Sequence, residues 1–129
     1  MSSEKISISI PKELSERLKK YLEEKKISDR SKVFQIALRN YLDENEDSEN
    51  FVYGIINLVY DENNTNEINE FQHENEDKII SVLHIHVGKE CIEAIAVKGR
   101  KKDLVEMTSK LSQLKGVKKA RLIVSTTVT

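Results

Sequence analysis

The first patterned segment of the chain is a short strand with no partner nearby in the sequence. From Lys5 to Ile10, isoleucine alternates strictly with lysine and serine, so the isoleucines face one side and Lys5, Ser7 and Ser9 face the other. Pro11 ends the strand, and helical patterns follow it. A lone strand leaves its backbone hydrogen-bonding groups unpaired. The pattern therefore predicts that this strand pairs with a second copy of the chain.

Two segments with helical spacing of apolar residues follow the strand. The first contains Leu14, Leu18, Tyr21 and Leu22, and the second contains Val33, Phe34, Ala37, Leu38, Tyr41 and Leu42. Residues 27–31 supply N-cap residues between them. Because roughly 45 residues bury too little surface to fold alone, we predict a dimeric module. Its paired strands would form a polar ribbon narrow enough to enter the major groove of DNA.

Charge divides the 129 residues into three parts, although the net charge is only −1. Residues 1–42 carry ten basic and six acidic side chains, residues 43–77 carry twelve acidic and no Lys or Arg, and residues 78–129 carry eleven basic and four acidic. Residues 43–50 contain no apolar side chain, which is typical of a linker. We therefore predict one domain over 1–47 and another over 51–129. Basic ends suit polyanionic partners, and a solvated acidic linker explains the same pattern equally well.

The second part of the chain shows the element order β-α-β-β-α-β. Segments rich in apolar and β-branched residues predict strands at 51–60, 78–87, 91–98 and 117–124, the first of them buried on both faces. Helices are predicted over 67–76 and around Leu104 to Leu114, where Gly116 closes the second one. The turn Gly88-Lys89-Glu90 makes a hairpin of the middle strands. This order is that of ferredoxin-like and ACT-like domains, so the predicted fold class is α+β.

The nitrogen and sulfur donors of the chain are concentrated in one short stretch. The histidines are His73, His84 and His86, and the single cysteine is Cys91. His84 and His86 are two residues apart on a predicted strand, so their imidazoles share a face that Cys91 can reach from the next strand. Alone, His73 would be an exposed polar residue and Cys91 a buried filler. Together they favour a metal site, for which Zn, Cu and Ni all remain open.

Catalytic motifs are missing from the sequence. There is no P-loop, no G-x-S-x-G elbow and no H-E-x-x-H helix, so we predict that the protein is not an enzyme. A zinc-dependent hydrolase or a metal-storage protein is the remaining alternative, and it would need an open ligand position. The apolar runs are too short to span a bilayer, and the N-terminus lacks the apolar segment of a signal peptide. We therefore expect a cytoplasmic protein.

The N-terminal pattern of strand, helix, turn and helix resembles the ribbon-helix-helix fold of bacterial and archaeal repressors. The resemblance covers about the first 45 residues and includes the outward basic-x-hydroxyl-x-hydroxyl triplet. It implies that Lys5, Ser7 and Ser9 contact the bases of double-stranded operator DNA. It also implies that Arg30 and Ser31 anchor the start of the second helix to the phosphate backbone. A solvated strand face is the alternative for the triplet.

The strings Gln72-His73, His84-Ile85-His86, Cys91-Ile92-Glu93 and Gly116-Val117-Lys118 resemble the regulatory domain of the nickel-responsive NikR regulators. This resemblance implies a homotetramer, built as a dimer of dimers, with one square-planar Ni(II) per subunit. The implied ligands are His84, His86 and Cys91 of one chain and His73 of another, with Glu93 as a hydrogen-bond partner of a ligand.

The same resemblance implies that Ni(II) promotes operator binding and that the protein represses nickel-uptake genes. A ribbon-helix-helix regulator of the same architecture that senses Cu, Zn or a small ligand is the alternative.

Four features depart from the NikR pattern, and the first is a shorter loop from Tyr60 to His73. Four residues rather than five separate His86 from Cys91, which makes the hairpin turn tighter. Lys32 and Ile36 stand where carboxylates often hold an additional cation, so no second cation site is expected. Lys5 stands where arginine is frequent, and because one ammonium cannot reproduce the guanidinium fork, a different operator preference is expected.

Overall fold

The computed structural model describes residues 2–128 and forms two compact units. We call Met1–Arg39 the N-terminal unit and Asn40–Thr129 the C-terminal unit. The division falls within the second helix of the chain. The domain ranges inferred from charge and composition, 1–47 and 51–129, stay predictions.

The N-terminal unit contains helix α1 (Lys12–Lys25) and most of helix α2 (Arg30–Asn45). The Asp29 carboxylate accepts a hydrogen bond from the Lys32 backbone N–H at 3.0 Å, which caps α2 as the sequence predicts. The predicted strand from Lys5 to Ile10 is not formed in the single chain, where residues 2–10 have no regular structure. Ile6 and Ile8 are 74% and 63% exposed. The physical reason is that a strand needs a neighbouring strand to pair its backbone groups.

The C-terminal unit is a four-stranded antiparallel sheet with two helices. Its strands are β1 (Phe51–Asp61), β2 (Ile79–Val87), β3 (Glu90–Arg100) and β4 (Val117–Thr127), in the spatial order β2-β3-β1-β4. Helix α3 (Thr65–Glu74) connects β1 to β2, and helix α4 (Lys101–Ser112) connects β3 to β4. Short 3-10 helices at Glu62–Asn64 and Glu76–Lys78 flank α3. The predicted β-α-β-β-α-β order and the α+β class are confirmed.

The core lies between one face of the sheet and the two helices. Alternate residues of β1 and β3 are buried, as period-2 side-chain geometry requires. The helices contribute Ile68 from α3 and Leu104, Met107 and Leu111 from α4. Gly54 lets β4 approach β1 closely, because a Cβ at this position would lie 2.7 Å from the Ile123 carbonyl oxygen. Burial of this apolar surface stabilises the unit by roughly 25 cal/mol per Å².

The opposite face of the sheet is apolar and exposed. Its exposed side chains are Phe51, Tyr53, Ile55, Leu83, Ile85, Val87 and Ile123. The sequence predicted β1 to be buried on both faces, and this was wrong for the single chain. The buried residues of α3 and α4 join the core on the other face, so the odd-numbered side chains of β1 are left at the surface or only partly buried. None of the four helices of residues 2–128 has the length and apolar character to cross a bilayer.

Candidate metal centre

The hairpin of β2 and β3 aligns the predicted ligands. Its loop consists of Gly88 and Lys89, and Gly88 has φ 62°, which suits the first central position of a type II′ loop. This turn sets His86 directly opposite Cys91. Directly opposite residues share one face of a sheet, with Cβ atoms roughly 4.5–5.5 Å apart. Four residues lie between His86 and Cys91, and two of them form the loop. This spacing places the imidazole and the thiol side by side.

Cys91 is buried on the face of the sheet that carries the core. On its other side it is paired with Tyr60 of β1, whose side chain is also buried. Burial, followed by the hydrogen bond to Glu93 and the negative charges of Glu93 and Cys91, raises the pKa of Tyr60 far above its ordinary value. Tyr60 is therefore a hydrogen-bond donor at neutral pH.

The Glu93 carboxylate is buried at 2% exposure and accepts three hydrogen bonds. The Tyr60 hydroxyl donates to Oε2 at 2.7 Å, and the Gln72 amide donates to Oε1 at 2.5 Å. His84 Nδ1 lies 2.8 Å from Oε2. An ionised carboxylate only accepts hydrogen bonds, so a neutral His84 ring in this contact has its proton on Nδ1 and its lone pair on Nε2. Glu93 thus makes a hydrogen bond to His84, one of the predicted ligands.

His86 and His73 contact other carboxylates. His86 Nε2 lies 2.7 Å from Glu62 Oε2. His73, near the end of α3, is 81% exposed at its side chain, with Nδ1 3.4 Å from Glu76 Oε2. In residues 2–128 of one chain, no three His, Cys, Asp or Glu side chains converge closely enough to hold a metal ion. The structure therefore brings His84, His86 and Cys91 to one sheet face but does not assemble them with His73 into a complete site.

The donor set fits a late first-row divalent ion. Two imidazoles and one thiol occupy adjacent cross-strand positions, and imidazole and thiolate are the ligands that such ions prefer. A buried carboxylate orients one of the imidazoles, as carboxylates commonly do around metal ligands. This sheet face supplies three donors for the ion, so any further donor comes from outside the face.

The predicted DNA-contacting residues all lie on the surface of the N-terminal unit. Lys5, Ser7 and Ser9 are exposed, and so are Arg30 and Ser31 in the first turn of α2. The Ser31 hydroxyl accepts a weak hydrogen bond from Gln35 at 3.4 Å, so it remains accessible. Within residues 2–128, no hydrogen bond or ion pair joins the triplet to the start of α2, and the role of these residues stays a prediction.

The sequence did not predict the contacts of three residues at this centre, namely Tyr60, Glu62 and Gln72. Their partners are distant along the chain, with separations of 33 residues for Tyr60 and Glu93, 21 for Gln72 and Glu93, and 24 for Glu62 and His86. The available signals were weak: a tyrosine that ends an apolar strand and a glutamine beside His73. Contacts of this range depend on strand register, which local patterns do not specify.

Comparison with known families gives two matches. A family model described as the NikR C-terminal nickel binding domain matches residues 53–125, and a model of a family of unknown function matches residues 6–63. Among solved structures, an uncharacterized protein from Thermotoga maritima is similar, with a TM-score of 0.55 at 18% identity. The similarity covers 59% of this chain and 99% of that chain, and it supports the fold alone.

Curated relatives match over nearly the whole chain. A protein of Saccharolobus solfataricus is 60% identical and one of Saccharolobus islandicus (strain L.S.2.15 / Lassen #1) is 58% identical, each over 97% of this chain and 96% of the relative. A protein of Thermococcus onnurineus is 33% identical over 98% of this chain and 96% of the relative. All three bear the provisional name of nickel-responsive regulator, which is not the name of an enzyme. The chain therefore belongs to the NikR family of nickel-responsive regulators.

Proposed function

We propose that this chain binds Ni(II) through His84, His86 and Cys91 of one subunit and His73 of the partner subunit, and that metal binding promotes binding to operator DNA. The observation that carries the proposal is the strand register, which sets His86 opposite Cys91 and His84 opposite Glu93. In this register both imidazoles and the thiol share one sheet face. A neighbouring chain supplies the donor that this face lacks.

The residues around the ligands prepare the centre for a cation. Glu93, held by Tyr60 and Gln72, keeps the His84 proton on Nδ1 and leaves Nε2 to bind. Cys91 loses its thiol proton on binding, because thiolate is the form that binds metals. A bound Ni(II) ion supplies a strong link between thiolate and imidazole donors of different chains. The stoichiometry in this proposal is one ion per subunit.

The exposed apolar face of the sheet supports self-association in the C-terminal unit. Ile55 and Ile123 lie side by side on that face, together with Leu83 and Ile85 of β2. Monomeric proteins rarely expose large contiguous apolar patches. We assign this face to contacts between copies of the chain, and the unpaired N-terminal segment to a second dimer contact. The two contacts together give a homotetramer that is a dimer of dimers.

In the N-terminal unit, Lys5, Ser7 and Ser9 of two chains form the ribbon that contacts bases, while Arg30 and Ser31 contact phosphates. Metal binding acts by favouring the arrangement of subunits that fits the operator, and by linkage DNA then tightens metal binding by the same factor. The regulated genes in this proposal are those of nickel uptake, and the effect of DNA binding is repression.

The shared ligand set can be tested by mixing two inactive variants. His73→Ala chains lack the partner's donor, and Cys91→Ser chains lack the thiolate. Each variant alone is titrated with Ni(II) and followed by the thiolate-to-nickel absorption band, and both are expected to show little of it. Unfolding and refolding the two together is expected to restore the band, because His73 of one chain then meets Cys91 of another.

Failure of the mixture to gain any band over the separate variants would contradict ligand sharing. The wild-type protein is titrated in parallel with Ni(II), Cu(II) and Zn(II). Absence of stoichiometric binding of Ni(II) to the wild type would contradict the proposed function as a whole.

A further inference from the structure

Glu62 lies next to the proposed metal centre but belongs to none of the motifs that predict it. Its carboxylate Oε2 is 2.7 Å from His86 Nε2. Both side chains are partly exposed, at 37% for Glu62 and 53% for His86, so burial does not force them together. The contact therefore depends on how the backbone of residues 61–65 is held.

The backbone around Glu62 is fixed by hydrogen bonds to two loops. The Glu62 N–H donates to the Lys89 carbonyl in the β2–β3 turn at 2.9 Å, and the Asp61 N–H donates to the Gly116 carbonyl at 2.9 Å. The Thr65 hydroxyl donates to the Glu62 carbonyl at 2.6 Å. The main chain of Glu62 is thus tied directly to the hairpin that carries His86.

Local capping and packing hold the same turn from within. The Asp61 carboxylate accepts the Asn63 N–H at 2.8 Å, which caps the 3-10 helix Glu62–Asn64. Gly116 has φ 84°, and a Cβ added there would overlap the Asn64 side chain. The turn therefore packs against the loop before β4. Glu62 contacts His86 from a segment whose main chain is held in place by hydrogen bonds.

The contact determines which ring nitrogen of His86 is available. An ionised carboxylate accepts hydrogen bonds and cannot donate them, so the His86 nitrogen that faces Glu62 carries the proton. The lone pair of the neutral ring is then on Nδ1. Glu93 imposes the opposite arrangement on His84, where Nδ1 carries the proton and Nε2 has the lone pair. In these contacts, neutral rings of the two histidines take opposite tautomers, although they lie two residues apart on one strand.

We propose that Glu62 is a positioning residue of the metal centre, which holds the proton of His86 on Nε2 and so presents Nδ1 as the ligand atom. This inference rests on the proposed function, because it takes His86 to be a nickel ligand. Outer carboxylates of this kind typically contribute roughly 10- to 100-fold to metal affinity. Glu62→Ala is expected to weaken Ni(II) binding by that factor.

The test uses the full-length protein and three variants. Glu62→Ala removes the acceptor, whereas Glu62→Gln keeps a carbonyl oxygen that still accepts from Nε2. Glu70→Ala is the matched control, because Glu70 is an exposed carboxylate on α3 and its loss changes the net charge equally. Nitrogen-15 NMR of the metal-free proteins reports the tautomer of His86, and competition with a chelator gives the Ni(II) affinity.

The expected result is a wild-type His86 protonated on Nε2, a loss of this preference in Glu62→Ala, and an affinity that follows the order wild type, Glu62→Gln, Glu62→Ala. Glu70→Ala is expected to match the wild type in both measurements. An unchanged His86 tautomer and unchanged affinity in Glu62→Ala would overturn the inference and leave the proposed function standing. A wild type that does not bind Ni(II) would instead overturn the proposed function, and the tautomer measurement would still decide whether Glu62 controls His86.

Discussion

The two units of this chain differ in how much of their stability a single copy can supply. The C-terminal unit buries a contiguous core, with Ile56, Leu58 and Leu104 fully removed from solvent. In the N-terminal unit, none of residues 2–39 is buried, although the helices carry apolar stripes. The C-terminal unit has its own sheet, whereas the N-terminal segment has a strand pattern with no strand to pair with.

This difference indicates a division of roles between the units. A unit that folds from one chain can hold a preformed set of metal donors, as the β2–β3 hairpin does. In the dimer that we propose for the N-terminal unit, stability is tied to association, so a change in the arrangement of the subunits changes it. Matched substitutions in the two units test whether their stabilities differ as much as their burial indicates.

The largest expected effect comes from the core of the C-terminal unit. Ile56→Ala removes a fully buried side chain and is expected to lower the free energy of unfolding by about 2–5 kcal/mol, measured by urea denaturation. The matched change in the N-terminal unit is Ile8→Ala, at a residue that is 63% exposed in the single chain. It is expected to leave the unfolding of the C-terminal unit within about 0.5 kcal/mol of the wild type while weakening dimerisation. Equal losses of unfolding free energy in the two variants would contradict this difference between the units.

The next effect concerns the buried hydrogen bonds of Glu93. Tyr60→Phe removes the hydroxyl that donates to Glu93 and is expected to cost about 1.5–3 kcal/mol at neutral pH. Burial and Glu93 raise the pKa of Tyr60, so the folded state holds the phenol proton more tightly than the unfolded state. The contribution is fully present below about pH 10, the ordinary pKa of tyrosine, and is lost as pH rises above it.

The direction of this effect is checked by measuring the free energy of unfolding from neutral to strongly alkaline pH. The wild type is expected to lose stability above about pH 10 more steeply than Tyr60→Phe does. Tyr21→Phe, at a half-exposed position of α1, serves as the control in the other unit and is expected to keep the wild-type curve. Parallel curves for the wild type and Tyr60→Phe would contradict the assignment.

A smaller effect is expected where β1 and β4 meet. Gly54→Ala places a Cβ 2.7 Å from the Ile123 carbonyl oxygen, so the two strands have to separate, at a cost of about 1–3 kcal/mol. Amide hydrogen exchange is expected to show lost protection in β4 around Ile123. Gly88→Ala is the comparison, because its Cβ meets open space and only the φ of 62° is strained. In Gly88→Ala, amide exchange is expected to change only near the hairpin turn. Lost protection of β4 in this variant too would refute the explanation.

The smallest effect is expected in the N-terminal unit. Ser7→Ala removes one proposed hydroxyl contact to a base and is expected to weaken specific operator binding by about 0.5–1.5 kcal/mol, or up to roughly tenfold. Nickel affinity in the absence of DNA is expected to remain that of the wild type. Ser109→Ala, at an exposed position of α4, is the control. A changed nickel affinity in Ser7→Ala would show that the two units do not divide the functions as proposed.

Much of the C-terminal fold could be predicted because its signals are local. Period-2 and period-3.6 patterns locate the strands and helices, and Gly88 marks the hairpin. The shared face of His84 and His86 follows from their spacing alone. The ends of elements were less exact: α3 begins at Thr65, before the predicted start at residue 67, since Glu62–Asn64 leads directly into it.

The remainder depends on contacts that a single sequence does not display. The pairing of Glu62 with His86 follows from main-chain bonds to Lys89 and Gly116, both far away in the sequence. The exposure of the outer sheet face follows from both helices packing on the same side, which the apolar pattern of β1 could not distinguish from burial on both faces. The strand predicted from Lys5 to Ile10 is absent from the single chain, where its backbone groups have no neighbouring strand to pair with.

In the function we propose, metal binding in the C-terminal unit is linked to DNA binding in the N-terminal unit. The most direct test is a closed thermodynamic cycle, in which operator affinity is measured with and without Ni(II) and Ni(II) affinity is measured with and without operator. Ni(II) is expected to strengthen operator binding, and operator is expected to strengthen Ni(II) binding by the same factor. Both effects are expected to vanish in Cys91→Ser. Operator binding that is equally tight with and without Ni(II) would contradict this linkage.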